Sequence, residues 1–197
     1  NNDTENKTFS VSSNPKQIQE FEDEKFIKSK IRTVPNFPKP GIMFRDITTL
    51  IQDAEGFQRT IGVFENRYRN KEIDLIAGIE SRGFVFASAL AYKLNKGVVL
   101  LRKPGKLPYK KVSQEYDTEY SKDKIEVHED AIKPGENVLL IDDLIATGGS
   151  ATAACNLIEK LGGKIVECGF VVELPALDGR KKLSKWPVFT VVEFEGD

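Results

Sequence analysis

Cysteine is scarce in this chain: Cys155 and Cys168 are the only two, and neither belongs to a CxxC or a Cys/His cluster. That argues against a disulfide framework and a zinc site, and reads instead as two buried, reduced thiols. Histidine occurs once, as His128 in KIEVHED. It falls on an alternating hairpin strand and reads as structural. Charge of one sign is lacking too, with 29 lysines and arginines against 30 acids. No basic field concentrates nucleic acid, so small-molecule partners are expected. No apolar run approaches the roughly 18 residues of a membrane span, and residues 1–30 hold no apolar core of a secretory signal. The expectation is a cytosolic protein with no membrane partner. Also missing are a Gly-Lys-Ser/Thr phosphate loop, a GxGxxG after a strand, and any internal repeat.

What is present alternates. A chain of 197 residues makes about one domain and can bury roughly 70% of its unfolded surface. Residues 1–12 are polar and read as a disordered tail. Asn14, Pro15 and Gln17 look like a cap, a first-turn proline and a capping-box partner, opening a helix with Ile18, Phe21 and Phe26 among its apolar positions. The helix stops before VPNFPKPG, which reads as an irregular loop. Apolar strands follow at 73–79, 97–102, 137–143, 164–174 and 188–194, with helical stretches at about 56–70, 83–95 and 149–161. Continuous apolar strands interleaved with helices predict an α/β fold, a parallel sheet covered on both faces. Residues 103–125 are polar and longer than a plain connection, which suggests a lid.

In open parallel sheets ligands bind beyond the carboxyl ends of the strands. Three strand ends here are charged: Glu80-Ser81-Arg82-Gly83, Arg102-Lys103-Pro104-Gly105-Lys106, and Asp142-Asp143 followed by ATGGS. In the last, Gly148 and Gly149 open a helix whose free N–H groups, with the Thr147 and Ser150 hydroxyls, can cradle a phosphate monoester. Beside a phosphate the two acids must address something else. A ribose diol, or Mg²⁺ through water, suits them.

The string VLLIDDLIATGGSA resembles the signature with which type I phosphoribosyltransferases bind 5-phosphoribosyl 1-pyrophosphate (PRPP). NFPKPGIMFRDIT, AGIESRGFVF, LLRKPGKLP and EYDTEYSKDKIEVHEDAIKPG accompany it in the order and spacing of the adenine branch, so the resemblance runs from about Ile31 to Glu173. It implies a type I phosphoribosyltransferase-like fold: a mostly parallel central sheet with helices on both faces, a small hood at about 31–50 and a flexible lid at 103–125. Residues 1–28 would be a tail and helix, and 29–197 one domain.

The resemblance also implies roles. Ala146, Thr147, Gly148, Gly149 and Ser150 would hold the 5-phosphate, and Asp142 and Asp143 the ribose hydroxyls. Glu80, Ser81 and Arg82, around a cis peptide, would meet the pyrophosphate, helped by Arg102, Lys103 and Lys106. Glu119 and Tyr120 match the family's lid pair, with Glu119 protonating or orienting the base. Met43, Phe44, Arg45 and Leu144 would form the purine pocket, with Phe44 and Leu144 on opposite faces of the base. Mg²⁺ would be carried by PRPP, touching Asp142 or Asp143 only through water. The implied reaction is adenine plus PRPP to AMP plus pyrophosphate, in purine salvage, by a homodimer. A 6-oxopurine (xanthine or hypoxanthine) transferase, a non-catalytic PRPP-sensing regulator and a nucleotide-binding paralogue without turnover stay open as alternatives.

Overall fold

The computed structural model describes residues 14–118 and 120–196. Helix α1 (Pro15–Lys30) begins where Asn14 Oδ1 accepts the Lys16 N–H at 3.0 Å, with proline in its first turn. Its buried anchor is Ile27; Ile18 and Phe21 are exposed. The reason is that α1 packs on α3 (Ala54–Tyr68) through its later turns, where Arg59 lies 3.5 Å from Asp23 and 4.2 Å from the Phe26 ring.

Between these helices the VPNFPKPG stretch is not wholly irregular. Val34 and Pro35 belong to β1 (Arg32–Pro35), which pairs antiparallel with β2 (Met43–Asp46) before the short α2 (Thr48–Gln52). A two-stranded ribbon has free edges, which is where a strand proline is tolerated.

The central sheet is formed by β3 (Leu75–Ile79), β4 (Gly97–Leu101), β7 (Asn137–Ile145), β8 (Lys164–Glu173) and β9 (Val188–Glu193). Its order is β4-β3-β7-β8-β9 and all its neighbours are parallel. Both faces are covered, which explains why its strands read as unbroken apolar runs. On β7, Leu139 and Ile141 face Phe64, Phe86 and Leu90 of α3 and α4 (Arg82–Leu94). Val138 and Leu140 face Ala154, Leu157 and Ile158 of α5 (Gly149–Lys160). Cys155 and Cys168 are free, fully buried on the α5 side, and their sulfurs lie 3.4 Å apart.

The chain runs from β3 outward to β4, then returns to place β7 on the other side of β3. Neighbouring strands whose connections diverge leave a crevice at their carboxyl ends. The 103–125 segment is not a plain loop: Lys111–Asp117 (β5) and Lys122–His128 (β6) pair as an antiparallel hairpin. His128 closes β6, with Nε2 accepting the Tyr109 N–H at 3.3 Å. After β8 come a 3-10 turn (Pro175–Leu177) and α6 (Gly179–Lys182). Among the described residues no helix is long and apolar enough to cross a membrane.

Leu139 is fully buried between α3, α4 and the sheet. Leu139→Ala should cost about 2–5 kcal/mol in denaturant unfolding, since a packed core refills a cavity only partly. A loss under about 0.5 kcal/mol, the size of a surface substitution, would contradict this packing.

Candidate active site

The crevice between β3 and β7 holds two adjoining cavities. The smaller, about 410 Å³, is lined by Glu80, Ser81, Arg82, Lys103, Asp142 and Asp143 among others. The larger, about 690 Å³, runs from Met43, Phe44 and Arg45 past Leu144 to Ala146, Thr147, Gly148, Gly149 and Ser150, with Tyr120 along it. Arg82, Tyr116, Asp143, Leu144 and Ser150 line both.

Asp142 and Asp143 sit inside β7, which continues to Ile145, two residues past the strand end read from the sequence. Asp142 Oδ1 accepts the Asp143 N–H at 2.8 Å. Burial, then the neighbouring Asp143 charge, pushes the Asp142 carboxyl well above the usual carboxylate range. Asp143 Oδ2 accepts from Arg82 Nε at 2.6 Å, and the Asp143 charge raises the guanidinium's pKa in turn. Gly83 makes the arrangement possible, because a Cβ there would stand 2.7 Å from Asp142 Oδ1. The Glu80–Ser81 peptide bond is cis.

Of the two loop glycines, Gly148 is the more constrained. Its φ is 85°, the left-handed region glycine alone enters freely, and a Cβ would meet Gly179 O at 2.8 Å. A Cβ on Gly149 would meet the hairpin, Asp117 O at 3.2 Å and Tyr116 Cδ2 at 3.3 Å. The hairpin therefore lies directly over the start of α5.

Three further cations, Arg102, Lys103 and Arg45, are engaged by protein partners. Arg102 Nε donates to Glu80 Oε1 at 2.9 Å, and neither Arg102 nor Lys106 lines either cavity. Lys103 Nζ reaches Asp123 at 2.6 Å and Tyr116 Oη at 3.0 Å. Burial works to lower the Lys103 pKa, but these partners win and hold it up. The Arg45 side chain donates to Thr33 Oγ1 at 2.6 Å and lies 4.7 Å from the Phe194 ring. Phe44 is braced edge-on by Phe37 at 5.1 Å. Glu119 lies outside the described residues.

Leu174 and Leu177 also line the large cavity, and sequence reasoning missed both. The signal was available: Leu174 follows the carboxyl end of β8, on the same edge as the three charged strand ends.

Parallel strands, a switch-point crevice and a phosphate-sized turn beside two acids define a class that binds sugar phosphates. Residues 48–196 match the phosphoribosyl transferase domain family. An adenine phosphoribosyltransferase from Desulfosudis oleivorans is 51% identical over 171 residues, covering 87% of this chain and 99% of that protein. The crystal structure of the Rhodothermus marinus adenine phosphoribosyltransferase matches with TM-score 0.84 and 45% identity, covering 88% of this chain and 99% of that one. The Saccharomyces cerevisiae enzyme, solved with adenine and an imino-altritol bisphosphate, matches with TM-score 0.83 and 42% identity over 87% of this chain and 99% of its own. The chain belongs to the adenine phosphoribosyltransferase family.

The Lys103–Asp123 pair clips the hairpin to the end of β4. The Lys103 hydrogen bond holds Asp123 below its ordinary 3.8, so the clip is intact above that pH and is lost only as acid takes the folded carboxyl through its depressed pKa. Asp123→Asn should speed amide exchange in β5 and β6 at pH 7, measured against intrinsic rates. Wild-type exchange rates in the variant would remove the clip.

Proposed function

We propose that this adenine phosphoribosyltransferase joins adenine to the ribose 5-phosphate of PRPP in the crevice described, releasing pyrophosphate and forming AMP by purine salvage. What carries the reading is one adjacency: two carboxylates on β7 stand between a glycine-started helix N-terminus and Arg82, beside a cavity walled by Phe44. Backbone N–H groups and the Thr147 and Ser150 hydroxyls take the 5-phosphate. Asp142 and Asp143 take the ribose hydroxyls, and Arg82 with Ser81 takes the pyrophosphate. Phe44 and Leu144 sandwich the base, with Leu174 and Leu177 completing its pocket.

The base nitrogen attacks ribose C1 as the bond from C1 to the pyrophosphate oxygen breaks, so the enzyme's tasks are placement and charge. Among the described residues no three His, Cys, Asp or Glu side chains gather as a metal cage. Two hard carboxylates suit Mg²⁺ that brings most of its ligands as phosphate oxygens and water. Asp142 or Asp143 would hold it through water, and it would neutralise leaving-group charge. The 111–128 hairpin acts as the lid that keeps water from the sugar cation. Homodimer assembly and a cytosolic setting belong to the same proposal.

Glu119→Gln should lower kcat by roughly 10²-fold or more with a modest change in KM, as loss of a general acid does. A kcat within about twofold of wild type would leave Glu119 without that role.

Base choice tests the purine pocket. With its side chain engaged by Thr33, Arg45 would offer the base its backbone. Adenine presents an N6 donor beside an N1 acceptor, and hypoxanthine inverts both. Two mismatched buried contacts cost about 2–6 kcal/mol, roughly 30-fold to above 10⁴-fold in kcat/KM. Arg45→Ala should weaken the site without reversing the preference. Equal kcat/KM for the two bases would move the chain to the 6-oxopurine branch.

A further inference from the structure

Behind the phosphate loop lies a segment that touches neither cavity yet meets the loop backbone to backbone. Gly179, the first residue of α6, packs against the loop so closely that a Cβ on it would stand 2.5 Å from Ala146 O and 2.8 Å from Ile145 Cγ1. The contact is mutual, since a Cβ on Gly148 would stand 2.8 Å from Gly179 O and 3.2 Å from Gly179 Cα. Two glycines face each other because no side chain fits between them.

Gly179 is itself held from the sheet. The next residue, Arg180, donates through Nε to both Glu173 oxygens, at 2.7 and 3.0 Å, through one terminal nitrogen to Val188 O at 3.1 Å, and through the other to Thr190 Oγ1 at 3.3 Å. Glu173 is only 5% exposed and closes β8, where it pairs with Ile145. Arg180 thus ties α6 to β8 and β9 at once, and a rigid guanidinium fork is suited to such a multi-point clamp. Leu183, also fully buried, pins the far end of α6.

We propose that Gly179 and Arg180 are positioning residues for PRPP: α6, clamped by Arg180 to Glu173, forms a rigid backstop that holds the 146–149 loop in its phosphate-receiving shape. The inference rests on the assignment of that loop to the 5-phosphate. A loop that must present several N–H groups to one phosphate tolerates little displacement, and its own glycines supply no stiffness. The stiffness comes from behind.

The test compares ligands that differ only in the phosphate. AMP and adenosine binding are measured by calorimetry for wild type, Gly179→Ala and Arg180→Lys, with thermal unfolding of each protein and steady-state kinetics alongside. In Gly179→Ala, AMP affinity should fall by about tenfold or more, since sub-ångström misplacement is felt at this scale, while adenosine affinity stays within about twofold. KM for PRPP should rise with kcat largely kept. Arg180→Lys keeps the charge but loses the fork, so it should shift the AMP-to-adenosine ratio the same way by less, and it serves if the alanine variant fails to fold. A folded variant with the wild-type ratio would overturn the proposal. So would equal weakening of AMP and adenosine, the mark of general loosening. If wild type itself binds AMP no tighter than adenosine, the phosphate assignment fails first, and the proposal with it.

Discussion

Two adjacent carboxylates at the carboxyl end of the central strand are the constraint around which the rest of this molecule is arranged. Asp142 and Asp143 are each about 7% exposed, and two neighbouring acids so far from water resist ionising together. The structure answers in three ways. Arg82 neutralises Asp143 from the first turn of α4. The Asp143 N–H supports Asp142. Gly83 leaves the gap that Asp142 occupies. The position of α4 on β3 and β7 is therefore tied to the acids as much as to its own apolar face. Gly78 extends the same logic, since a Cβ there would stand 2.8 Å from Ala87 Cβ and lift the helix from the sheet.

The sheet and its three long helices were legible because burial on both faces writes itself as apolar runs and helical periodicity. The two hairpins were legible only in part, since the alternation of KIEVHED marked the second strand of one of them and the rest gave no such signal. Lys111–Asp117 is polar, with no buried residue, so its pairing with β6 leaves no mark of the kind a buried strand leaves. Val34 and Pro35 were hidden for another reason: proline counts against a strand everywhere except at an edge, and an edge is visible only once the partner is known.

Within the site, what could be read was charge placed at strand ends, because topology alone sends those ends to one edge. What could not be read was partnership. The sequence shows Arg102, Lys103 and Lys106 as one basic cluster, but their fates differ: Arg102 serves Glu80, Lys103 serves the hairpin, and Lys106 lines neither cavity. Leu174 and Leu177 looked like ordinary ends of an apolar run. Gly179 was silent altogether, since the need for a missing side chain lies in its spatial neighbour, Ala146 O, more than 30 residues away in sequence.

The ion pairs at the crevice also bear on how a polyanion can enter it. Arg82 is paired with Asp143 and Lys103 with Asp123, and the cationic side chains keep 53% and 42% of their exposure. The Lys103–Asp123 pair, with both side chains at least a third exposed, is worth about 0–1 kcal/mol, because solvent screens the attraction and two side chains must be ordered, whereas Arg82 meets an acid that is only 10% exposed. A diphosphate offers several charged oxygens at once and can compete for both cations. Under the proposed reaction the acids act as placeholders: they fix where each cation points, then yield it to the substrate. For Arg82 the exchange has a second half, because the carboxylate it releases is the one assigned to the ribose. Pyrophosphate and sugar then bind together, each freeing the partner that the other needs.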